Sequence, residues 1–283
     1  MIPFRKMNGL GNDFVVIDAR RRPRALSPER IAALADRGSG IGFDQFITIA
    51  PARETGHHAR MRIVNADGGE VESCGNAARC VAALLLDETG HQRVNIESDG
   101  GLMTAWRGKG ARIAVDMGVP RFGGADIPLG QPGDPQALVL DGFAERFGPA
   151  ACVNVGNPHA VFFIDDTDSV PLAEVGPQLE HHPAFPQRAN ISFVAIENGT
   201  RVRARVWERG VGATRACGTA ACAIGALLHH LGRAEPTVTV VLPGGPLTIS
   251  QQAGRIVMEG PYALDFVGSI TETSFLRDPL PAV

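Results

Sequence analysis

The chain has 283 residues, of which 44% are hydrophobic and 20% are charged, and its formal net charge is -3. This composition is typical of a soluble globular protein that is large enough to bury its core in two lobes. The charge gives no electrostatic reason to expect nucleic acid or a membrane as a partner, and no uncharged stretch suits a lipid-facing span. The basic run Arg20–Arg24 is interpreted as a solvated loop.

Cysteine usage indicates the compartment. The segment from Met1 to Lys6 leads into polar sequence without the apolar region of a signal peptide. An odd number of cysteines fits reduced thiols better than a disulfide framework, so we expect a cytoplasmic protein. The five cysteines are Cys74, Cys80, Cys152, Cys217 and Cys222.

Short β-rich runs alternate with turns along the chain. Predicted strands in the first half are Asp13–Asp18, Gln45–Ala50, Arg60–Asn65, Val94–Glu97 and Ala111–Asp116. Those in the second half are Ala160–Ile164, Ile191–Ile196, Arg201–Trp207, Thr237–Leu242 and Arg255–Glu259. Ser27 as N-cap and Pro28 at the first helical position predict a helix to about Arg37, and a second helix is predicted from Pro171 to about His181.

Two further helices are predicted directly after cysteines, over Gly75–Asp87 and Gly218–Leu231. No charged residue occurs from Val81 to Leu86 or from Gly218 to Leu228. A helix that is apolar on all sides is buried on all sides. We therefore predict an α+β fold of two pseudo-symmetric lobes, each a mostly antiparallel or mixed sheet wrapped around one central buried helix.

The lobes are assigned from the Gly- and Pro-rich stretch between Gly118 and Pro135, which is interpreted as their connection. The N-terminal lobe is placed at 1–118 and the C-terminal lobe at 119–264. The tail 265–283 is expected to pack on the N-terminal lobe.

An internal duplication relates the two lobes. Ser73–Ala78 (SCGNAA) recurs 143 positions later as Ala216–Ala221 (ACGTAA), so each copy delivers a cysteine to the start of a buried helix. Four such matched pairs of segments in the same order, at a nearly constant offset, indicate duplication. The other three are Gly11-Asn12 with Gly156-Asn157, Asp44-Gln45 with Ala189-Asn190, and Asn65 with Glu208.

The paired cysteines suggest acid–base chemistry. A thiol at a helix N-terminus lies at the positive end of the helix dipole, which favours thiolate, and the N–H groups of that end can bind a carboxylate. If both helix N-termini approach one amino-acid substrate, one thiolate can remove its α-proton and the other thiol can return a proton to the opposite face. This predicts cofactor-free inversion of a stereocentre by Cys74 and Cys217.

Other ways to acidify an α-proton find little support in the sequence. Pyridoxal phosphate needs a Schiff-base lysine, and the only lysines, Lys6 and Lys109, lie away from the repeated segments. No C-x-x-C or H-E-x-x-H motif occurs, so no metal is expected. Cys80, Cys152 and Cys222 are interpreted as buried structural thiols.

The motifs together resemble the diaminopimelate epimerase family, in order and over nearly the whole chain. The segments that carry the resemblance are Met7–Phe14, Asn65–Gly68, Cys74–Cys80, Gly156–His159, Trp207–Gly210 and Ala216–Thr219. The resemblance implies interconversion of LL- and meso-2,6-diaminopimelate without a cofactor, in lysine and peptidoglycan precursor biosynthesis, by a homodimer.

The resemblance also implies roles for individual residues. Cys74 and Cys217 are the base and acid pair, and His159 and Glu208 modulate the thiols. The pairs Gly75-Asn76 and Gly218-Thr219 hold the carboxylate at the reacting end. The remaining substrate-site residues are Asn12, Gln45, Asn65, Asn157, Asn190, Glu208 and Arg209.

Three positions depart from the family's usual pattern. Ala213 stands where many members have Glu, Ala220 where many have Gly, and Phe266 where some have an interface Tyr. The alternatives are a proline- or hydroxyproline-type racemase, an isomerase of this scaffold that lacks the cysteines, a catalytically silent amino-acid-binding module, and a thiol peroxidase or redox sensor. Asn76 disfavours the proline type, which typically has His there, and the pair Glu208-Arg209 suits a substrate with a second charged end.

Overall fold

The computed structural model describes residues 1–130 and 132–278. It divides into two compact units, which we call unit 1 and unit 2. Unit 1 comprises Met1–Val115 and the segment that begins at Gly260, and unit 2 comprises Asp116–Glu259. Of the tail 265–283, residues 279–283 lie outside the described residues.

Strands and a few helices alternate along both units. From the N-terminus the elements are β1 (Ile2–Gly9), β2 (Asn12–Asp18), α1 (Pro28–Ala35), β3 (Gln45–Ala50), β4 (Ala59–Asn65), β5 (Glu70–Val71), α2 (Gly75–Thr89), β6 (Arg93–Ser98), β7 (Gly101–Arg107) and β8 (Arg112–Asp116). They continue with α3 (Ala144–Phe147), β9 (Ala151–Asn154), β10 (Pro158–Phe163), α4 (Leu172–Glu180), β11 (Asn190–Asn198), β12 (Arg201–Glu208), β13 (Gly212–Thr214) and α5 (Gly218–His230). The last are β14 (Thr237–Leu242), β15 (Gly245–Gln252), β16 (Arg255–Pro261), β17 (Ala263–Ile270) and β18 (Phe275–Asp278).

The strand register of unit 2 repeats that of unit 1. In the parallel pair β2–β3, Phe14 lies opposite Gln45, and in β10–β11 His159 lies opposite Asn190, each 145 positions later. The hairpins β4–β5 and β12–β13 match in the same way, the second 143 positions after the first. The predicted α+β fold with two pseudo-symmetric halves is therefore confirmed.

Each unit is built around one buried helix. Helix α2 contacts β1, β2, β6 and β7, and α5 contacts β9, β10, β11, β14 and β15. Helix α2 ends at Gly90, whose left-handed backbone (φ 67°) lets its N–H bond to the Leu86 carbonyl. In α5, a Cβ added at Gly225 would lie only 2.4 Å from Cγ2 of Ile249, so the close approach of helix and sheet requires glycine.

The predicted helices and strands are observed, with ends that differ by a few residues. Ser27 caps α1 by accepting a hydrogen bond from the Arg30 N–H. Sequence reasoning missed several elements, among them β1, which lies between β2 and β17 in unit 1. Its buried side chains include Lys6, which forms ion pairs with Asp13 and Asp265 and breaks the apolar pattern of the strand. Among the described residues, no helix combines the length and apolar character needed to cross a membrane.

Candidate active site

The first predicted catalytic thiol, Cys74, is the N-cap of α2 in unit 1. Its backbone is extended (φ -145°, ψ 108°), and its sulfur accepts a hydrogen bond from the Ala77 N–H at 3.5 Å. The side chain is partly exposed. The thiol therefore lies among backbone N–H groups at the positive end of the helix, a position that favours thiolate.

Asn12 joins this thiol to a set of polar side chains. Its Oδ1 lies 4.0 Å from the Cys74 sulfur and accepts a hydrogen bond from Asn76 Nδ2 at 3.4 Å. Its Nδ2 donates to Asp44 Oδ2 at 3.1 Å, and Arg37 forms ion pairs with both Asp44 and Asp13. The Asp44 carboxylate thus fixes the orientation of the Asn12 amide.

Asn76 is buried directly after the thiol. Its Oδ1 accepts a hydrogen bond at 2.9 Å from Arg79, whose side chain is also fully buried and whose Nε donates to the Pro261 carbonyl at 3.1 Å. The other two predicted residues of unit 1, Gln45 and Asn65, pair with each other through Nε2 and Oδ1 at 3.0 Å. Unit 1 thus brings Asn12, Cys74 and Asn76 together, and the pair Gln45–Asn65 occupies the matched ends of β3 and β4.

The second predicted thiol, Cys217, is the N-cap of α5 in unit 2. Its backbone matches that of Cys74 (φ -129°, ψ 112°), and its sulfur accepts a hydrogen bond from the Ala220 N–H at 3.4 Å. Thr219 Oγ1 lies 3.4 Å from the same sulfur. Only 4% of Cys217 is exposed.

Burial and a carboxylate control the protonation of Cys217. Burial raises the pKa of this thiol well above its usual range, and the charge of Glu208 raises it further. Burial also raises the pKa of Glu208, against the effect of hydrogen bonds from Cys217 and from Thr214, whose hydroxyl lies 2.5 Å from Oε1. The arrangement suits a neutral thiol that donates a proton.

His159 is wholly buried in unit 2, and its Nε2 lies 2.8 Å from Asn157 Oδ1. Burial lowers the pKa of His159 to about 3, with a further contribution from the positive charge of Arg209. Because the Asn157 oxygen can only accept, the proton of the neutral ring is assigned to Nε2. His159 is therefore an uncharged residue at neutral pH.

Asn190 links the first residue of β10 to the turn after β12. Its Nδ2 donates to the Pro158 carbonyl at 3.0 Å, and its Oδ1 accepts from the Arg209 N–H at 3.0 Å. The exposed guanidinium of Arg209 donates through Nη1 to the Gln187 carbonyl at 3.2 Å. Unit 2 thus brings together its predicted residues Asn157, His159 and Asn190 with Arg209, and Glu208 with Cys217 and Thr219.

Sequence reasoning gave no role to the charged side chains that hold these residues. Asp44 fixes Asn12, Arg79 fixes Asn76, and Glu180 bonds to both residues that flank Glu208 and Arg209. The one available signal is Arg79, a charge within the buried part of α2. Over the described part of the chain, no three or more His, Cys, Asp or Glu side chains form a group that could hold a metal ion.

Comparison with known proteins identifies the family. The model of the family described as diaminopimelate epimerase matches residues 4–123 and 151–264. The chain belongs to the diaminopimelate epimerase family. The resemblance predicted from the motifs is therefore confirmed, and so is the prediction of an isomerase.

Relatives of this family align along nearly the whole chain. A diaminopimelate epimerase from Acidiphilium cryptum is 48% identical, with 95% of this chain and 96% of the relative covered. One from Erythrobacter litoralis is also 48% identical, with coverage of 95% and 97%.

Solved structures with low sequence identity show the same fold. A predicted epimerase from Pseudomonas aeruginosa has a TM-score of 0.68 at 18% identity, covering 97% of this chain and 100% of that one. A hydroxyproline epimerase from Agrobacterium vitis with bound trans-4-hydroxy-L-proline has a TM-score of 0.67 at 16% identity, covering 99% and 93%. The fold is thus shared with proteins at under 20% sequence identity.

Proposed function

We propose that this protein converts LL-2,6-diaminopimelate to meso-2,6-diaminopimelate without a cofactor, by proton transfer at two cysteines. The observation that carries the proposal is the pair of cysteine N-caps, Cys74 and Cys217, within the two segments matched by the family model. The names of the relatives support the substrate.

In the proposed reaction, the Cys74 thiolate removes the α-proton of the LL substrate, and the carbanion that forms takes the proton of the neutral Cys217 thiol on its opposite face. Cys74 ends as a thiol and Cys217 as a thiolate. Exchange of protons with solvent restores the starting state, and the reverse reaction uses the thiols in opposite roles. The raised pKa of Cys217 supports its role as the acid in this direction.

Stabilisation of the carbanion is assigned to the two helix N-termini. The first N–H groups of α2 and α5 belong to Gly75-Asn76 and Gly218-Thr219, and the N–H groups of a first helical turn point out of the helix towards a ligand. They can bind the α-carboxylate, on which negative charge accumulates as the proton leaves. This is the reason why no external electron sink is needed in the proposal.

Recognition of the second amino-acid end is assigned to polar residues of both units. The exposed guanidinium of Arg209 suits the distal carboxylate, and Glu208 suits the distal ammonium. The amides that complete the proposed site are Asn12, Gln45, Asn65, Asn157 and Asn190. His159, which is neutral and buried, is proposed to modulate the thiols without becoming charged itself.

The proposed function is tested by incubating the reduced protein with LL-diaminopimelate, without cofactor, and resolving the isomers by chromatography. Formation of the meso isomer supports the proposal. Parallel incubations contain L-proline and trans-4-hydroxy-L-proline. Inversion of these alone would favour a racemase of the proline type, and binding without inversion of any substrate would favour an amino-acid-binding module.

We further propose that the protein acts as a homodimer in the cytoplasm. The exposed Leu264 and Leu276 on β17 and β18 offer apolar surface for an interface. Phe266 stands where some family members have an interface Tyr. Cζ of the Arg277 guanidinium lies 3.7 Å from the centroid of its ring. Light scattering of the purified protein should give twice the mass of 29.9 kDa, and a single-chain mass would contradict the dimer.

A further inference from the structure

Glu180, the last residue of α4, has a buried carboxylate that the proposed reaction does not use. Only 3% of the residue is exposed. Its Oε2 accepts a hydrogen bond from Trp207 Nε1 at 2.7 Å, and its Oε1 accepts one from the Gly210 N–H at 2.9 Å. Arg188 Nη1 lies 3.7 Å from Oε1. Because a buried charge is costly without such partners, this arrangement is a specific feature of the fold.

The two hydrogen-bond donors flank the residues assigned to substrate recognition. Trp207 directly precedes Glu208, and Gly210 directly follows Arg209. A single carboxylate therefore joins the two ends of the segment that presents them. Gly210 has a left-handed backbone (φ 75°), which begins the turn from β12 to β13.

The Trp207 ring has little freedom to move away from this carboxylate. A Cβ added at Gly176 of α4 would lie 2.4 Å from Trp207 Cδ2, so the ring packs directly on the helix backbone. On the other strand of the hairpin, a Cβ added at Gly212 would lie 3.6 Å from Trp207 Cη2. The ring and the carboxylate thus fix the end of β12 to α4.

Arg209 is also held from the segment that follows α4. Its guanidinium donates to the Gln187 carbonyl, and the neighbouring Arg188 is the ion-pair partner of Glu180. Glu180 therefore contacts the hairpin at two points and the segment before β11 at a third. Its loss would affect the position of Arg209 from both sides.

We propose that Glu180 is a positioning residue that fixes the Glu208–Arg209 turn and thereby sets the affinity for the distal, charged end of the substrate. This inference rests on the proposed function. Glu180 contacts neither thiol, and Glu208, which lies beside Cys217, is held separately by its hydrogen bond from the Thr214 hydroxyl. Removal of Glu180 is therefore expected to weaken substrate binding at Arg209 and to leave proton transfer nearly unchanged.

The decisive variant is Glu180→Gln, which keeps the shape of the side chain. Its amide offers one oxygen where two are needed, so one of the two donors loses its acceptor. We expect KM for LL-diaminopimelate to rise about tenfold and kcat to stay within about twofold, the pattern for lost uniform binding. The Trp207 indole N–H resonance should shift, and the Gly210 amide should exchange faster with deuterium.

Glu174→Gln is the matched control, since Glu174 lies on the same helix with its side chain exposed. It should change neither KM, nor kcat, nor the Trp207 and Gly210 signals.

Trp207→Phe is the second variant, which keeps a ring on Gly176 and removes only one donor. It should raise KM in the same way, and adding Glu180→Gln to it should raise KM by less than the product of the two separate effects. If Glu180→Gln does not fold, Trp207→Phe alone decides the inference.

Two results would overturn the inference. One is an unchanged KM in variants whose indole or Gly210 signals have moved. The other is a fall in kcat that matches the loss of folded protein, with KM unaltered. If the wild-type protein does not epimerise diaminopimelate, the proposed function and the substrate part of this inference both fail. The exchange rate of the Gly210 amide then still decides whether Glu180 holds the turn.

Discussion

Cys74 and Cys217 occupy the same N-cap position in matched helices, with nearly equal backbone angles and an equivalent bond from the N–H group three residues later. Their surroundings differ. Cys74 is partly exposed beside the amide of Asn12, whereas Cys217 is buried beside the carboxylate of Glu208. The duplicated segment thus sets the geometry of each thiol, and the residues that differ between the copies set its surroundings.

The helices behind the thiols show the same contrast. At the position where α2 has the buried Arg79, α5 has Cys222, and at the position of Ala82 it has Gly225. Helix α5 approaches its sheet so closely that Gly225 has no room for a Cβ. The two copies therefore keep the cap and differ in how each helix packs.

The largest expected effect follows from removing either thiol. Cys74→Ala and Cys217→Ala should each lower the rate of inversion by about a hundredfold or more, the usual range for loss of general acid or base catalysis. Thermal unfolding should show that both variants remain folded. Cys152→Ala, which removes a buried thiol far along the chain from both caps, is the control. Near-wild-type inversion in either cap variant would defeat the two-base mechanism.

The packing contrast predicts a loss of stability in unit 2. Gly225→Ala should lower the free energy of unfolding by about 1–3 kcal/mol, because the new methyl group meets Ile249. This exceeds the gain of up to about 1 kcal/mol that alanine brings to a helix. Denaturant unfolding followed by circular dichroism measures the change. A variant as stable as the wild type would show that helix and sheet separate without cost.

The buried His159 predicts acid sensitivity. Burial lowers its pKa from 6.5 to about 3, so between these values the unfolded chain binds a proton that the native protein does not. The contribution of His159 to the free energy of unfolding is complete above pH 6.5 and falls by about 1.4 kcal/mol per pH unit as the pH drops towards 3. Unfolding free energies of the wild type and His159→Gln, measured from pH 7 to about 4.5, should converge as the pH falls. Parallel curves would contradict a neutral, buried imidazole.

The smallest expected effect concerns the protonation of Cys217. Because the charge of Glu208 raises the pKa of this thiol, Glu208→Gln should move its ionisation to lower pH. The ultraviolet absorbance of the thiolate gives the midpoint of this ionisation. In the variant it is the difference between Glu208→Gln and Glu208→Gln/Cys217→Ala, and it is compared with the same difference between the wild type and Cys217→Ala. An unchanged midpoint would mean that burial alone controls the thiol.

The sequence predicts the caps and buried helices because these features are local. The Cys-Gly start and the long uncharged run mark α2 and α5 without any knowledge of the sheet. Strand β1 was missed because Lys6 breaks its apolar pattern, and the ion-pair partners of Lys6, Asp13 and Asp265, lie on β2 and β17. A charge that is paired across neighbouring strands cannot be recognised from the pattern of its own strand.

The site residues divide in the same way. The repeat marks the cysteines and their matched asparagines, but Glu180 lies outside the repeated motifs in a helix end rich in histidine. Its role depends on Trp207 and Gly210, which join it only in the folded chain. The raised pKa of Cys217 likewise depends on burial, which the Cys-Gly motif does not encode.

The central claim is that two different thiols act on opposite faces of one α-carbon. It is tested most directly by following LL-diaminopimelate in D2O by NMR while the isomers are resolved, with no cofactor added. The two-base account predicts that meso product carries deuterium at the inverted carbon, while the remaining LL substrate keeps its α-proton early in the reaction. Deuterium entering the LL substrate as fast as the meso product would contradict the account, because it would show that one group both removes and returns the proton.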